Sequence, residues 1–373
     1  MAPPIVDVLA AADWSFPVPI AYGPGRIAEV GERCRRLGSE RPLVVTDRGS
    51  VDLPFVTATV EALRKAGLAP ALFADVNANP TDRNVAAGVA AFRSGDRDAV
   101  VAIGGGSGMD AGKSISLVAP NDTELWAFDY DNATVPQPRC RDRSASAFAP
   151  LICIPTALAI LDPELTLTLP TTLTAWTGVD ALVHAIEAYS VPAWNPLCDG
   201  LALEAMALIA TALPAAVHDG ADLEARGRML VASCLAGVAF LKGLGLVHAM
   251  SHMVGAVHDT HHGLTNAVLL PTVLRFNRES LGEKADVMAE VVRADSIHTW
   301  VDGLLDRLDI PTGLAAIGVT ESSLGELAIK SAGDAAASTN PRPATIAQIE
   351  GLLRESMLAA RQPREHQLPS GDG

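Results

Sequence analysis

Five of the nine histidines, His248, His252, His258, His261 and His262, crowd into the run GLGLVHAMSHMVGAVHDTHHG at residues 243–263. Small and apolar residues surround them, not the charges of a surface tail. Imidazole is the commonest protein metal ligand and the usual proton carrier near neutral pH. Such a run inside an apolar segment points to a buried site, with a histidine-rich solvated loop as the plainer alternative. Upstream, TGVDALVHAIEAY at 177–189 reads as the opening of a helix in which Asp180 and His184 stand four apart and share a face. Their neighbours Val179, Leu182, Val183 and Ile186 are apolar, and a buried carboxylate beside a buried imidazole is costly unless paired or metal-bound. Alone, this pair fits a core Asp–His hydrogen bond as well as a ligand pair. Taken with the histidine run, a divalent cation is the better account, held by one carboxylate and two or three imidazoles with a position open for substrate. Nitrogen and oxygen donors without thiolate suit Fe(II) and Zn(II) alike.

A second chemical feature is VVAIGGGS at 100–107, where glycines stand between a buried strand and a helix. Backbone N–H groups in such a turn can approach a phosphate, and a helix N-terminus adds partial positive charge. Neither familiar fingerprint is met. A dinucleotide GxGxxG from Gly104 needs glycine where Met109 stands, and a Walker A motif needs its lysine before Lys113. A tight turn needing positive φ is the competing reading. Asp47, ending an earlier strand, is placed either to bond a ribose hydroxyl, favouring NAD over NADP, or to cap its own turn.

The elements that must position these groups change character midway. Short strands are predicted at 43–46, 72–73 and 99–103, alternating with helices at 56–66, 81–94 and 110–118. The last-but-one is entered through Asn79-Pro80-Thr81, with Thr81 or Asp82 as cap. Strand–helix alternation implies a parallel sheet. From 173 onward the periodicity is helical, over 173–189, 201–217, 224–241, 281–292, 299–308 and 346–359. The expected fold is an α/β N-terminal domain with a parallel sheet over 1–169, plus an all-α C-terminal domain over 170–373 ending in a frayed tail.

Composition narrows the class of function. Of 373 residues 49% are hydrophobic and only 19% charged, enough for two sizeable cores. A net charge of −15 with no basic block argues against nucleic acid or an anionic membrane as partner. Cys34, Cys140, Cys153, Cys198 and Cys234 are scattered, odd in number and without a CxxC pair, which reads as reduced thiols in a cytoplasmic protein. No signal peptide or membrane-spanning apolar run is expected.

The chain resembles the iron-containing (group III) alcohol dehydrogenases, which include maleylacetate reductases. The likeness rests on Asn79-Pro80-Thr81, GGGSGMDAGKSI at 104–115, Ile154-Pro155-Thr156, DPELTLTLP at 162–170 and GVDALVHAIEAY at 178–189. It continues through GLGLVHAMSH at 243–252, HHGLTNAVLLP at 261–271 and TNPRP at 339–343. The resemblance implies an NAD(P)-dependent enzyme interconverting a small alcohol and its aldehyde, usually a homodimer or larger. It places the pyrophosphate at Gly105, Gly106 and Ser107, the adenosine ribose near Asp47, and Asn79, Asp110 and Thr156 within the cofactor-binding segments. It makes Asp180, His184, His248 and His262 the ligands of Fe(II) or Zn(II), and His252 a catalytic proton relay; His258 and His261 match no functional position. A lyase related to dehydroquinate synthase is a weaker fit.

The chain also departs from that pattern. After Thr156 the family continues through a β-hairpin excursion, whereas here Asp162-Pro163-Glu164 follows almost at once. The difference is on the order of thirty residues, about a hairpin with its turns. Because the family uses that segment at the cofactor, a metal-binding homologue with weak or no dehydrogenase activity is the alternative expectation. Gly112 replaces a usual alanine, at about 1 kcal/mol of helix propensity. Met253-Val254 stand where Pro-Leu is common.

Overall fold

Apolar β-branched runs become the strands of a parallel sheet, as their buried faces require. The computed structural model describes residues 12–15, 19–121, 123–128, 151–152 and 159–358. The expectations for Thr156, Cys140, Cys153 and the end of the chain from 359 lie outside the described residues. The chain divides into two units, Met1–Leu165 and Thr166–Gly373.

In the first unit the strands are β1 (Ala12–Ser15), β2 (Pro19–Tyr22), β3 (Pro42–Val45), β4 (Ala71–Phe73), β5 (Ala99–Ala102), β6 (Leu151–Ile152) and β7 (Ala159–Leu161). The helices are α1 (Val30–Arg36), α2 (Pro54–Lys65), α3 (Asp82–Ser94) and α4 (Gly106–Val118). One sheet runs β4-β3-β5-β6 with every pairing parallel. In the other, β2 pairs antiparallel with β1 and parallel with β7. Thr81 caps α3 in a reciprocal box with Asn84, and Pro80 lies before the cap. Immediately after β7, the buried Asp162 carboxylate accepts from the backbone N–H groups of Gly25 at 3.1 Å and Ile27 at 3.0 Å. The chain beyond the expected splice is thus tied into the unit.

Helix α4 begins at Gly106, four residues before the sequence expectation, so the glycine run itself enters the helix. Gly112 has a packing reason, which revises the reading of it as a simple loss. A Cβ there would lie 2.5 Å from the Ala102 Cβ, so glycine lets α4 rest against β5.

The second unit, among its described residues, is helical: α5 (Thr171–Ser190), α6 (Pro196–His218), α7 (Leu223–Ala239), α8 (Leu246–His258), α9 (His262–Leu281), α10 (Glu283–Val291), α11 (Ile297–Arg307), α12 (Leu324–Ala332) and α13 (Ile346–Glu355). Helix α5 is apolar on nearly every side and runs through the core against α6, α7 and α9. Its own Leu182 and Ile186 are fully buried, as are Met206, Ile209, Leu213, Leu246, Met250 and Leu269 of the other helices. Its C-terminal carbonyls are met by two cations, as the helix dipole favours. Lys284 Nζ donates to the Tyr189 and Val191 oxygens at 2.7 and 2.9 Å, and Lys242 Nζ to Tyr189 at 3.4 Å. Lys242 also pairs with Asp199. By length and composition α6 could cross a membrane, as could the bent run of α7 and α8 if counted as one; α6 packs against α5 and α7.

Candidate metal centre and cofactor turn

Asp180 and His184 project from the middle of α5, His248 and His252 from α8, and His262 from the first residue of α9. Asp259, at positive φ, ends α8, and His261 then caps α9 with its ring accepting from the Leu264 N–H. The two histidine-bearing helices are therefore joined by a turn of a few residues. His258 bonds Ser323 Oγ at 2.8 Å. His258 and His261 thus have structural partners of their own.

The donor atoms of Asp180, His248 and His262 lie within 4.8 Å of one another. Asp180 Oδ1 is 3.5 Å from His262 Nε2 and 3.8 Å from His248 Nε2. His184, expected as a fourth ligand, is not in that group; its ring stacks on that of His248 with centroids 4.5 Å apart. His252 stacks on His262 at 5.4 Å and hydrogen-bonds Asp334.

Two residues not singled out from sequence organise this set. Glu187, fully enclosed, accepts from the N–H groups of Gly245 at 3.0 Å and Val247 at 2.8 Å at the start of α8, and meets His248 Nδ1 at 2.7 Å. That bond leaves the His248 Nε2 lone pair for the centre, the arrangement by which carboxylates orient metal-binding imidazoles. Asn266, one turn beyond His262 and wholly buried, places Nδ2 2.6 Å from Asp180 Oδ1, 3.2 Å from His248 Nε2 and 3.0 Å from His262 Nε2. Each had a local signal: Glu187 is seven residues from Asp180 on the same helical stripe, and Asn266 four from His262.

The electrostatics suit a cation. Burial holds His248 well below the ordinary histidine value, and His184 beside it acts in the same direction. His262 is lowered by burial as well, so both rings keep a free lone pair. Burial by itself would raise the Asp180 carboxyl, but His184, His262, His248 and the Asn266 amide outweigh it and hold the group low. Burial pushes Glu187 up to about 7 against the pull of its backbone donors. Three acceptor atoms converge on one amide that has only two N–H groups, and a divalent cation would supply the missing partner. The donor set fits such an ion.

Close approach of α5 and α9 depends on Gly263. A Cβ there would stand 2.5 Å from the Trp176 carbonyl oxygen and 3.1 Å from Asp180 Cβ. Gly263→Ala is expected to cost about 1–3 kcal/mol by overpacking. It should also weaken cation binding, because His262 would be pushed away from Asp180. Thermal unfolding and a metal titration of the variant check both effects.

In the first unit, α4 starts at the glycine turn without a side-chain cap, so its first N–H groups remain available. Gly105 and Gly106 are exposed with open space where a Cβ would be, while Gly108 packs on Ile103 and Thr46. Ser107 is half-buried in the same first turn, and Asn79 lies in the bend before α3. Asp110 is exposed and pairs with Lys113 at 2.8 Å. Asp47 caps its own turn, accepting from the Gly49 and Ser50 N–H groups at 2.9 and 3.0 Å. An uncapped helix entrance over bare glycines is chemically suited to a pyrophosphate.

A nucleotide-type parallel sheet preceding a helical unit with a carboxylate–imidazole centre defines a metal-dependent dehydrogenase. The chain belongs to the iron-containing alcohol dehydrogenase family, whose N-terminal description matches residues 17–160 and whose C-terminal description matches residues 174–357. It is 35% identical over 380 residues to 1,3-propanediol dehydrogenase of Klebsiella pneumoniae, covering 92% of this chain and 98% of that protein. It is 34% identical over 376 residues to the NAD-dependent methanol dehydrogenase of Bacillus methanolicus, covering 92% and 99%. The crystal structure of a 1,3-propanediol oxidoreductase superposes with a TM-score of 0.82 at 34% identity, covering 94% of this chain and 100% of that one. An alignment of 380 residues that uses only 92% of a 373-residue chain means that the Klebsiella protein carries stretches with no counterpart here.

Proposed function

We propose that the chain oxidises small primary alcohols with NAD, and reduces the corresponding aldehydes, using a divalent cation held by Asp180, His248 and His262. The observation that carries this reading is the convergence of Asp180, His248 and His262, with Glu187 behind His248. The cation, when bound, supplies stabilisation of negative charge on the alcohol oxygen, and the nicotinamide supplies the hydride acceptor. Asp180, His248 and His262 would hold the ion, with His184 stacked beside His248. Asn266 steadies the Asp180 carboxylate through its amide N–H. His252, half-exposed beside His262, accepts the hydroxyl proton and passes it to solvent. Overall, alcohol and NAD⁺ give aldehyde, NADH and one proton.

The substrate class follows the relatives, whose names specify 1,3-propanediol and methanol. NAD follows the relative named as NAD-dependent, Asp47 being engaged in its own turn, and Gly105, Gly106 and Ser107 would receive the pyrophosphate. Iron is the family's metal, with zinc as an alternative for the same donors. The proposal includes a homo-oligomer in the cytoplasm, consistent with the free, buried Cys34, Cys198 and Cys234.

Loaded with Fe(II) or Zn(II), the protein is expected to produce NADH from a panel running from methanol to 1,3-propanediol. Bound metal without turnover on the panel would count against the proposal. The unmatched stretches of the Klebsiella alignment favour a second reading, a homologue that binds metal and transfers hydride slowly. Ordinary NAD affinity by calorimetry argues against that one. Chelation gives a further expectation: at a cation concentration of 100 Kd, binding stabilises the fold by about 2.7 kcal/mol. Removing the cation should lower the unfolding midpoint accordingly.

A further inference from the structure

Asp334 lies between α12 and the short 3₁₀ turn Ala335–Thr339, far in sequence from α5, α8 and α9. Its Oδ2 is 2.9 Å from His252 Nδ1, and its Oδ1 accepts from the Ala336 N–H at 2.8 Å. Both carboxylate oxygens are therefore engaged, and the side chain is only 14% exposed while that of His252 is 39% exposed. The segment that follows is itself tied to the start of α8. Thr339 Oγ1 donates to the Leu244 oxygen at 2.8 Å, and Asn340 Oδ1 accepts from the Leu246 N–H at 3.1 Å. Residues 334–340 thus grip α8 at its entrance and, through Asp334, two turns further along at His252. The carboxylate cannot drift from the ring without releasing that hold.

A carboxylate has no proton to give at neutral pH, so the ring must supply the one in this bond. Nδ1 then carries the hydrogen and Nε2 is left with the lone pair, at the far side of the imidazole from Asp334. The ring also lies nearly parallel to His262, with an interplanar angle of 14°. One partner fixes its tautomer and the other its plane.

We infer that Asp334 is the positioning residue for His252, selecting the tautomer in which Nε2 accepts the proton released by the alcohol hydroxyl. In that step the O–H bond breaks, an Nε2–H bond forms, and the carbon-bound hydrogen leaves separately as hydride to NAD⁺. This inference rests on the relay role of His252 proposed above, and the variants separate the two.

The experiment compares metal-loaded wild type, Asp334→Asn, Asp334→Glu, His252→Ala and the double variant, with 1,3-propanediol and NAD. Asp334→Asn retains an oxygen for the Ala336 N–H but presents an amide where the ring needs an acceptor. It is expected to lower kcat about 10- to 100-fold, as loss of a histidine-orienting partner does elsewhere. The KM values should stay within about threefold, since substrate binding is not the function being removed. Metal content should be unchanged and Asp334→Glu should recover part of the rate. In the His252→Ala background, Asp334→Asn should add no more than about a twofold loss. A slow His252→Ala enzyme beside a normal Asp334→Asn enzyme overturns this inference alone. A fully active His252→Ala enzyme overturns the relay and this inference together. Ring-nitrogen NMR shifts of the Zn(II)-loaded protein read the tautomer without turnover: Nδ1–H in wild type supports the inference, and Nε2–H overturns it.

Discussion

His248→Ala is expected to purify without bound metal and without detectable dehydrogenase activity. The ring is 1% exposed and is the one imidazole buried on all sides at the junction of α5 and α8. Water cannot replace its Nε2 cheaply, because the space is enclosed by Asp180, Asn266 and the stacked His184 ring. Loss of an outer partner of a metal-binding histidine commonly costs 10- to 100-fold in affinity, so loss of the histidine itself should exceed about 100-fold. The truncation also leaves a cavity and deprives Glu187 of a charged hydrogen bond. Together these should lower stability by about 2–4 kcal/mol. Metal analysis of the purified variant, chelator competition and denaturant unfolding measure the three effects. One bound equivalent of metal with near-normal affinity would remove His248 from the ligand set.

Glu187→Gln has the second largest expected effect, although Glu187 touches no cation. The groups hydrogen-bonded to the carboxylate are donors: the N–H groups of Gly245, Val247 and His248, and the His248 ring nitrogen. A glutamine offers one oxygen and turns its NH₂ toward donors on the other side. At least one buried donor must then lose its partner, or His248 must change tautomer and present Nε2–H to the centre. The first outcome costs about 1–3 kcal/mol per orphaned group. The second removes a metal lone pair and should weaken the cation about 10- to 100-fold. Unfolding measured with and without chelator separates these: an effect on the fold persists in both, and an effect on the tautomer shows only with metal. His248→Ala and Glu187→Gln should also be strongly non-additive, since they break the same bond.

How far the centre was legible depends on distance along the chain. Asp180 and His184 were readable as a pair because a helix repeats its face every three to four residues. The same rule reaches Glu187 and Asn266, which needed only one more turn. Asp334 had no such signal, since 82 residues separate it from its histidine. The parallel sheet followed from strand–helix alternation, and the early start of α4 did not, because glycines lower helix propensity wherever they stand. Gly112 illustrates the same limit: its cost is local and its reason, the nearness of Ala102, is not.

By itself the amino-acid sequence determined the donor types, the order of the motifs, the α/β and all-helical halves, and hence the family. Tertiary structure decided which histidines converge with Asp180, which merely cap or pair elsewhere, and that Glu187 stands behind His248 and Asp334 behind His252. The physical reason is that periodicity records only which residues share a face of one helix. Which faces then meet is set by side-chain packing between helices, where a glycine at 263 or a buried Glu187 brings distant segments to within bonding distance.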